Sequence, residues 1–283
     1  MKAFHTVALA ATCAAYVFKP ENHDSFKNSH VPALIDYSET QYDVPSGSSY
    51  WVSSFISAND SKQYLALSHI LTTTNPSPVC RSSVLDLKTL EYWVDLTYCS
   101  SQNNSAFDRS GPLNADYGAY NFGSTSEDSV TSMYAQSNTN KSFSLDLKWE
   151  STSKAVQNGG GGIFAFGPGP TNATEWGIPA AKTSGTIQLN QSTLSIDPEN
   201  SFSWYDRQIS YGAPKNWTWF QVNFPGSQIK ASIWAYDLGL PSNALYQFAT
   251  VRDGDSVKVL AYTLTTDPKK TWTSPQSGLT YAL

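Results

Sequence analysis

The sequence predicts an all-β fold, an antiparallel barrel or sandwich. Three observations carry this. Runs of eight to ten residues alternate apolar and polar, most cleanly in Ser142–Glu150, where Phe143, Leu145, Leu147 and Trp149 share one face. Turn chemistry separates these runs, with Asp253-Gly254 the strongest hairpin signal. No segment of helical length shows a 3.6-residue period with caps.

In chain order, residues 1–15 read as a secretory signal peptide. Lys2 is a small basic start, and Ala3–Ala15 is a short apolar run ending in small residues, with cleavage near Ala14 or Ala15. Residues 16–48 are polar and irregular. A β domain is expected over 49–266. It opens with strands Ser49–Ser57 and Gln63–Thr72 around a turn at Ala58–Lys62. A hairpin follows between Cys80 and Cys99, turning at Lys88–Glu91. If Thr89 and Leu90 are central, the two cysteines fall opposite each other, within adjustment of disulfide range. Secretion would favour the bond. Asp86 reads as solvated or close to the turn. Asp116–Tyr120 reads as a loop-to-strand junction that could also line a barrel mouth.

Gln157–Pro170 is a glycine-rich interruption. No Lys-Ser/Thr follows it and no helix starts there, so it reads as a mobile loop or bulge rather than a phosphate loop. Strands Trp217–Phe224 and Ile229–Asp237 surround Pro225-Gly226-Ser227, and Leu245–Arg252 and Asp255–Leu264 flank Asp253-Gly254. Residues 267–283 read as a linker-like segment.

Charged residues are only 14% of the chain and the net charge is −5, so a nucleic-acid footprint is absent. No apolar run approaches a membrane span. Asn59, Asn103, Asn140, Asn172, Asn190 and Asn216 begin glycosylation triplets, which agrees with secretion. The sequence leaves the oligomeric state open.

The chemistry gathers in S-F-S-W-Y-D-R-Q (Ser201–Gln208), N-W-T-W-F (Asn216–Phe220) and I-W-A-Y-D (Ile233–Asp237). Strand alternation puts Trp204, Asp206 and Gln208 on one face and Tyr205 and Arg207 on the other. A carboxylate on a tryptophan face suits an aromatic pocket with a few placed polar groups. It equally suits an Asp206–Arg207 structural pair closing a barrel end. His69 shares a face with Leu65, Leu67 and Leu71, as a general acid or base or as a satisfied core histidine. The histidines are scattered and no metal, serine-hydrolase or dinucleotide motif is present, so no metal and no cofactor is expected.

The segment order Y-W-V-S-S-F-I-S, Q-Y-L-A-L-S-H-I-L, C-R-S-S-V-L-D-L, T-S-G-T-I-Q-L, S-W-Y-D-R-Q and F-P-G-S-Q-I-K-A-S-I-W-A-Y-D resembles the fungal kievitone-hydratase-like proteins. These are related to lipocalin-like carotenoid hydratases and to fungal Diels–Alderases. The resemblance covers roughly Ser49 to the C-terminus. It implies two lipocalin-like barrels in tandem, a ligand pocket at or between them, and no metal or redox cofactor. Trp204, Tyr205, Asp206, Arg207 and Gln208 match the family motif, and Trp51 and His69 its first hairpin. W-T-S-P-Q-S-G-L-T-Y resembles the entry to a second barrel, which is then expected to be missing or truncated.

The reading places first a cofactor-independent Diels–Alderase-type cyclase acting on an apolar polyketide or terpenoid. Tyr205 or Arg207 would polarise a carbonyl, within walls of Trp51, Trp204, Trp219, Trp234 and Tyr236 and beside Gln208. A hydratase acting on a prenyl double bond, with Asp206 and His69 as acid and base, comes next. A neighbouring Arg207 would lower the pKa of Asp206 and count against it. A non-enzymatic binder of apolar metabolites is third.

Overall fold

The computed structural model describes residues 35–73, 77–139, 142–224, 226–239, 245–265, 267, 269–275 and 278–282. The expected signal peptide, most of the 16–48 segment and Asn140 lie outside them. The strands are β1 (Ser48–Ser57), β2 (Gln63–Thr72), β3 (Val79–Asp86), β4 (Tyr92–Tyr98), β5 (Asn114–Asp116), β6 (Tyr120–Ser124), β7 (Ser132–Ser137), β8 (Phe143–Ser151), β9 (Val156–Gln157), β10 (Ile163–Ala165), β11 (Asn172–Leu189), β12 (Ser192–Ser195), β13 (Phe202–Ser210), β14 (Asn216–Asn223), β15 (Ile229–Asp237), β16 (Leu245–Asp253), β17 (Ser256–Ala261), β18 (Thr271–Thr273) and β19 (Thr280–Ala282). The only helical pieces among the described residues are two 3-10 turns, Glu39–Gln41 and Ser105–Phe107. The all-β expectation holds.

One large antiparallel sheet runs β4-β3-β2-β1-β13-β11-β8-β7-β6-β5 and curls into a lipocalin-like half-barrel. Its inner face is a dense aromatic core, with Tyr50, Phe122, Trp149, Trp176 and Tyr205 almost wholly buried. A second sheet, β14-β15-β16-β17, is separate from the first. The range expected as one β domain thus carries two sheets. The 267–283 segment contains the β18–β19 hairpin.

Strand β11 is eighteen residues long and changes partner along its length. Its first half pairs with β13 and its second with β8, with a bulge between Ile178 and Ala181. Pro179 sits at that bulge, where a residue without an N–H interrupts the ladder least.

The Cys80–Cys99 disulfide is present, but the register differs from the expected one. Cys80 lies opposite Thr97, and Cys99 follows the strand end, its N–H donating to Pro78 O. The turn is responsible. Asp86 Oδ1 accepts the N–H groups of Lys88 and Thr89, and Leu90 takes a left-handed conformation (φ 62°), so the hairpin closes earlier. Asp86 is turn-proximal but buried rather than solvated. The Thr89 N–H first, then those of Lys88 and its side chain partner Lys62, hold its carboxyl down at about 2.

The five described sequon asparagines, Asn59, Asn103, Asn172, Asn190 and Asn216, are exposed at turns or strand ends. The glycine-rich stretch forms β9, a tight turn and β10, both short strands pairing with β11. Gly159 N donates to Thr250 Oγ1, which ties the turn to the second sheet.

Candidate active site

The residue pairs of the large sheet line up in one cross-strand row. Gly177 on β11 faces Asp206 on β13, Asp206 faces Trp51 on β1, Trp51 faces His69 on β2, and His69 faces Arg81 on β3. This row lies on the outer face of the half-barrel, opposite the aromatic core. The second sheet covers it. Trp219 meets Trp51 edge-on with ring centres 6.0 Å apart, and Trp219 stacks on Trp234 at 5.5 Å. Between the sheets is a cavity of 890 Å³, lined among others by Trp51, Leu65, Leu67, His69, Leu71, Arg81, Asp206, Gln208, Trp219 and Trp234. Phe55, Trp217 and Phe220 also line it and are well exposed, so they mark its opening.

Strand alternation therefore divides the W-Y-D-R-Q segment as the sequence implied, with a consequence for chemistry. Asp206 and Gln208 reach the cavity. Tyr205 and Arg207 do not; they point into the barrel core. Tyr205 Oη donates to Gln41 Oε1 at 2.7 Å. The Arg207 guanidinium donates to the carbonyls of Ser49, Gln208 and Tyr42, stacks on Tyr50 at 4.1 Å and faces Asp43 at 3.9 Å. Both are fully enclosed. The expectation that either donates to a substrate carbonyl is corrected. The segment pairs without a break with β1 from Ser48 to Phe55, while on its other side the β11 bulge between Ile178 and Ala181 lies against Tyr205 and Ser203, so the expectation of a nearby bulge is met on that edge.

Trp204 and Tyr236 are corrected as well. Trp204 is buried, its indole Nε1 packed over Gly177, and it lines no part of the cavity. Tyr236 donates to Ala165 O and packs with Phe164, Phe166 and Trp234 in a second small core. Trp51, His69, Gln208, Trp219 and Trp234 line the cavity.

Asp206 is 4% exposed, and its Oδ1 makes no hydrogen bond. Burial raises its pKa to about 8; the Trp204 indole and the Arg207 charge oppose that rise without cancelling it. Burial thus favours its neutral, carboxylic-acid form. Gly177 makes this placement possible. A Cβ there would sit 2.8 Å from Trp204 Nε1 and 3.0 Å from Asp206 Oδ1.

A second buried carboxyl, Glu175, escaped the sequence reading. It accepts hydrogen bonds from Asn158 Nδ2 (2.6 Å), Gln208 Nε2 (3.0 Å) and Trp234 Nε1 (3.1 Å). Burial and then the nearby Asp206 push its pKa well above the usual range. His69 is held in the opposite direction. Burial, then the Arg81 charge, lower it to about 3, so its ring is neutral, with Nε2 3.0 Å from Ser49 Oγ. Asp206 and His69 flank Trp51, one strand to either side, which places their Cα atoms about 10 Å apart.

A buried carboxyl, an imidazole and aromatic walls thus surround a cavity of ligand size. Relatives named as a hydratase and a dehydratase indicate an enzyme of the hydro-lyase type. The chain belongs to the AttH-like family, whose model matches residues 73–283. Kievitone hydratase of Fusarium solani subsp. phaseoli is 34% identical over 289 residues, spanning 98% of this chain and 79% of the relative. Dehydratase asqC of Emericella nidulans is 34% identical over 261 residues, spanning 89% and 72%. The crystal structure of kievitone hydratase from Nectria haematococca matches with a TM-score of 0.78 at 35% identity, over 94% of this chain and 80% of that one. The crystal structure of CghA shares the fold, with a TM-score of 0.53 at 10% identity over 81% and 66%. The family resemblance read from the sequence is borne out.

Proposed function

We propose that the protein is a cofactor-independent hydro-lyase. It adds water to a carbon–carbon double bond of a small apolar molecule held between the sheets, or removes water in reverse. The observation that carries this is the Asp206 carboxyl, held protonated by burial and open to the cavity. Alkene hydration needs a proton delivered to carbon, and a neutral carboxylic acid in an apolar pocket is a suitable donor. Its proton forms a C–H bond and leaves a carbocation. The Trp51 face beside it can steady that charge. Water adds to the cation, and the resulting protonated alcohol is a strong acid. The neutral His69, a weak base, suffices to accept that proton, with Ser49 bonded to its Nε2. Return of a proton to Asp206 completes the cycle.

This order differs from the one the sequence suggested. The cyclase reading relied on Tyr205 or Arg207 as donors, and both face the core. The objection to the hydratase was a lowered Asp206 pKa, and burial outweighs Arg207. Kievitone hydratase and a dehydratase among the relatives support the same chemistry. A cycloaddition catalyst remains the second reading, with the Asp206 carboxyl itself as carbonyl donor. Asp206→Asn separates the two. With kievitone as substrate in heavy-oxygen water, the wild type is expected to incorporate one labelled oxygen. The Asn variant, which still donates hydrogen bonds but no proton, is expected to lose that activity by at least ~10²-fold. Undiminished hydration in the folded variant would overturn the proposal.

A further inference from the structure

Arg81 occupies the far end of the row that Asp206 begins. It lines the cavity, and among the described residues no carboxylate lies within ion-pair distance of it. Its guanidinium makes no hydrogen bond to a described residue, and Nε is buried without a partner. It stacks on the Trp51 ring at 5.1 Å, and the Tyr92 phenol is close enough to act on its charge. Neighbouring donors are also unused, since Trp51 Nε1 and Gln221 Nε2 have no acceptor. Asp206 is the one carboxyl among the residues lining the cavity, and it lies three strands away from Arg81; burial and the Arg81 charge keep His69 uncharged. An apolar cavity therefore holds one uncompensated positive charge. Elsewhere in the protein the buried arginines donate to carbonyls: Arg207 reaches three through its terminal nitrogens, though its Nε has no partner, and Arg252 donates to the carbonyls of Ala155 and Gly254. A partly desolvated guanidinium left without an acceptor is unfavourable unless a ligand supplies one.

We infer that Arg81 anchors an anionic oxygen of the substrate, at the end of the cavity opposite the reacting double bond. Three strand spacings separate the Cα atoms of Arg81 and Asp206, about 14 Å. The substrate is thus an apolar molecule with an ionised oxygen at one end and its double bond towards the other. Which end reacts rests on the hydro-lyase reading; the anion site does not. Arg81 acts as a specificity-determining residue, with His69 and Trp51 beneath the body of the ligand.

The test is a binding comparison at neutral pH with two fluorescent polyenes, cis-parinaric acid and its methyl ester, which differ only in the charged end. The wild type is expected to bind the acid at least about tenfold more tightly than the ester, the scale of one charge-assisted hydrogen bond. Arg81→Met should bring the two affinities together with little change for the ester, and Arg81→Lys should restore part of the preference. Equal affinities in the wild type, or a preference that survives Arg81→Met, would overturn the inference. Should Arg81→Met fail to fold, the wild-type ratio and Arg81→Gln decide it. Because the readout is binding, turnover that survived Asp206→Asn would count against the hydro-lyase reading alone. A missing anion preference would count against Arg81 alone.

Discussion

Asp206 and Arg207 are adjacent and meet opposite environments, which decides what each can do. Arg207 is a structural cation. Arg207→Ala is expected to destabilise the fold by roughly 3–5 kcal/mol, since it strands Asp43 and three carbonyls in the core. Denaturant unfolding checks this, and a fully stable variant would contradict it. With its pKa raised by burial to about 8, Asp206 favours the neutral form in the folded protein over a range in which the unfolded chain, above about pH 4, carries it ionised. Between these limits the folded state binds the extra proton, so stability falls as pH rises, by about 1.4 kcal/mol per pH unit from this group. Asp206→Asn should flatten that slope. Activity is expected to fall above pH 8 as the acid is lost. Gly177→Ala would press a methyl group against Trp204 and Asp206; we expect a loss of about 1–3 kcal/mol and a drop in turnover. Sequence alternation gave the faces of residues 204–208. It did not reveal which face would be core, because that depends on the second sheet. Glu175 carried no local signal beyond a charged residue beside Trp176 in an interrupted run. Arg81 stood in a quoted segment but was not singled out, because its isolation is a property of the assembled cavity.

Hairpins with local turns were legible at the level of elements. Gln63–Thr72 and Ile229–Asp237 match the observed strands, because period-two patterning and turn residues act over a few positions. Strand β11 was not legible. Gly177, Pro179 and Gly185 interrupt its pattern, yet each has a place: room for Asp206, the bulge, and a left-handed backbone (φ 112°) against Asp146 O. Tertiary pairing on both sides overrides the weak local preference. The Cys80–Cys99 pair was legible as a bond, while its register was set by the Asp86 turn. Removing it with Cys99→Ser should cost about 3 kcal/mol for a loop of this length. A thermal melt under oxidising conditions measures it, and an unchanged transition would contradict the expectation.

The surface proposed to react is the outside of the half-barrel rather than its interior. The curled sheet fills its own inside with aromatic side chains. It turns a row of five residues outward, and the second sheet roofs that row with Trp219 and Trp234. Trp234 also hydrogen-bonds Glu175, so the roof is tied to the carboxyl pair. Trp234→Phe should keep the aromatic packing, hold Glu175 more firmly neutral by removing one donor, and so, with less repulsion on an Asp206 carboxylate, shift the alkaline limb of the activity profile downward. A pH–rate profile identical to that of the wild type would deny that link. All of this depends on Asp206 holding its proton. Carbon NMR of protein labelled at the aspartate carboxyls, titrated from acid to alkaline pH, reads that directly. We predict one aspartate titrating near pH 8, absent from Asp206→Asn; finding every aspartate ionised by pH 6 would contradict the account.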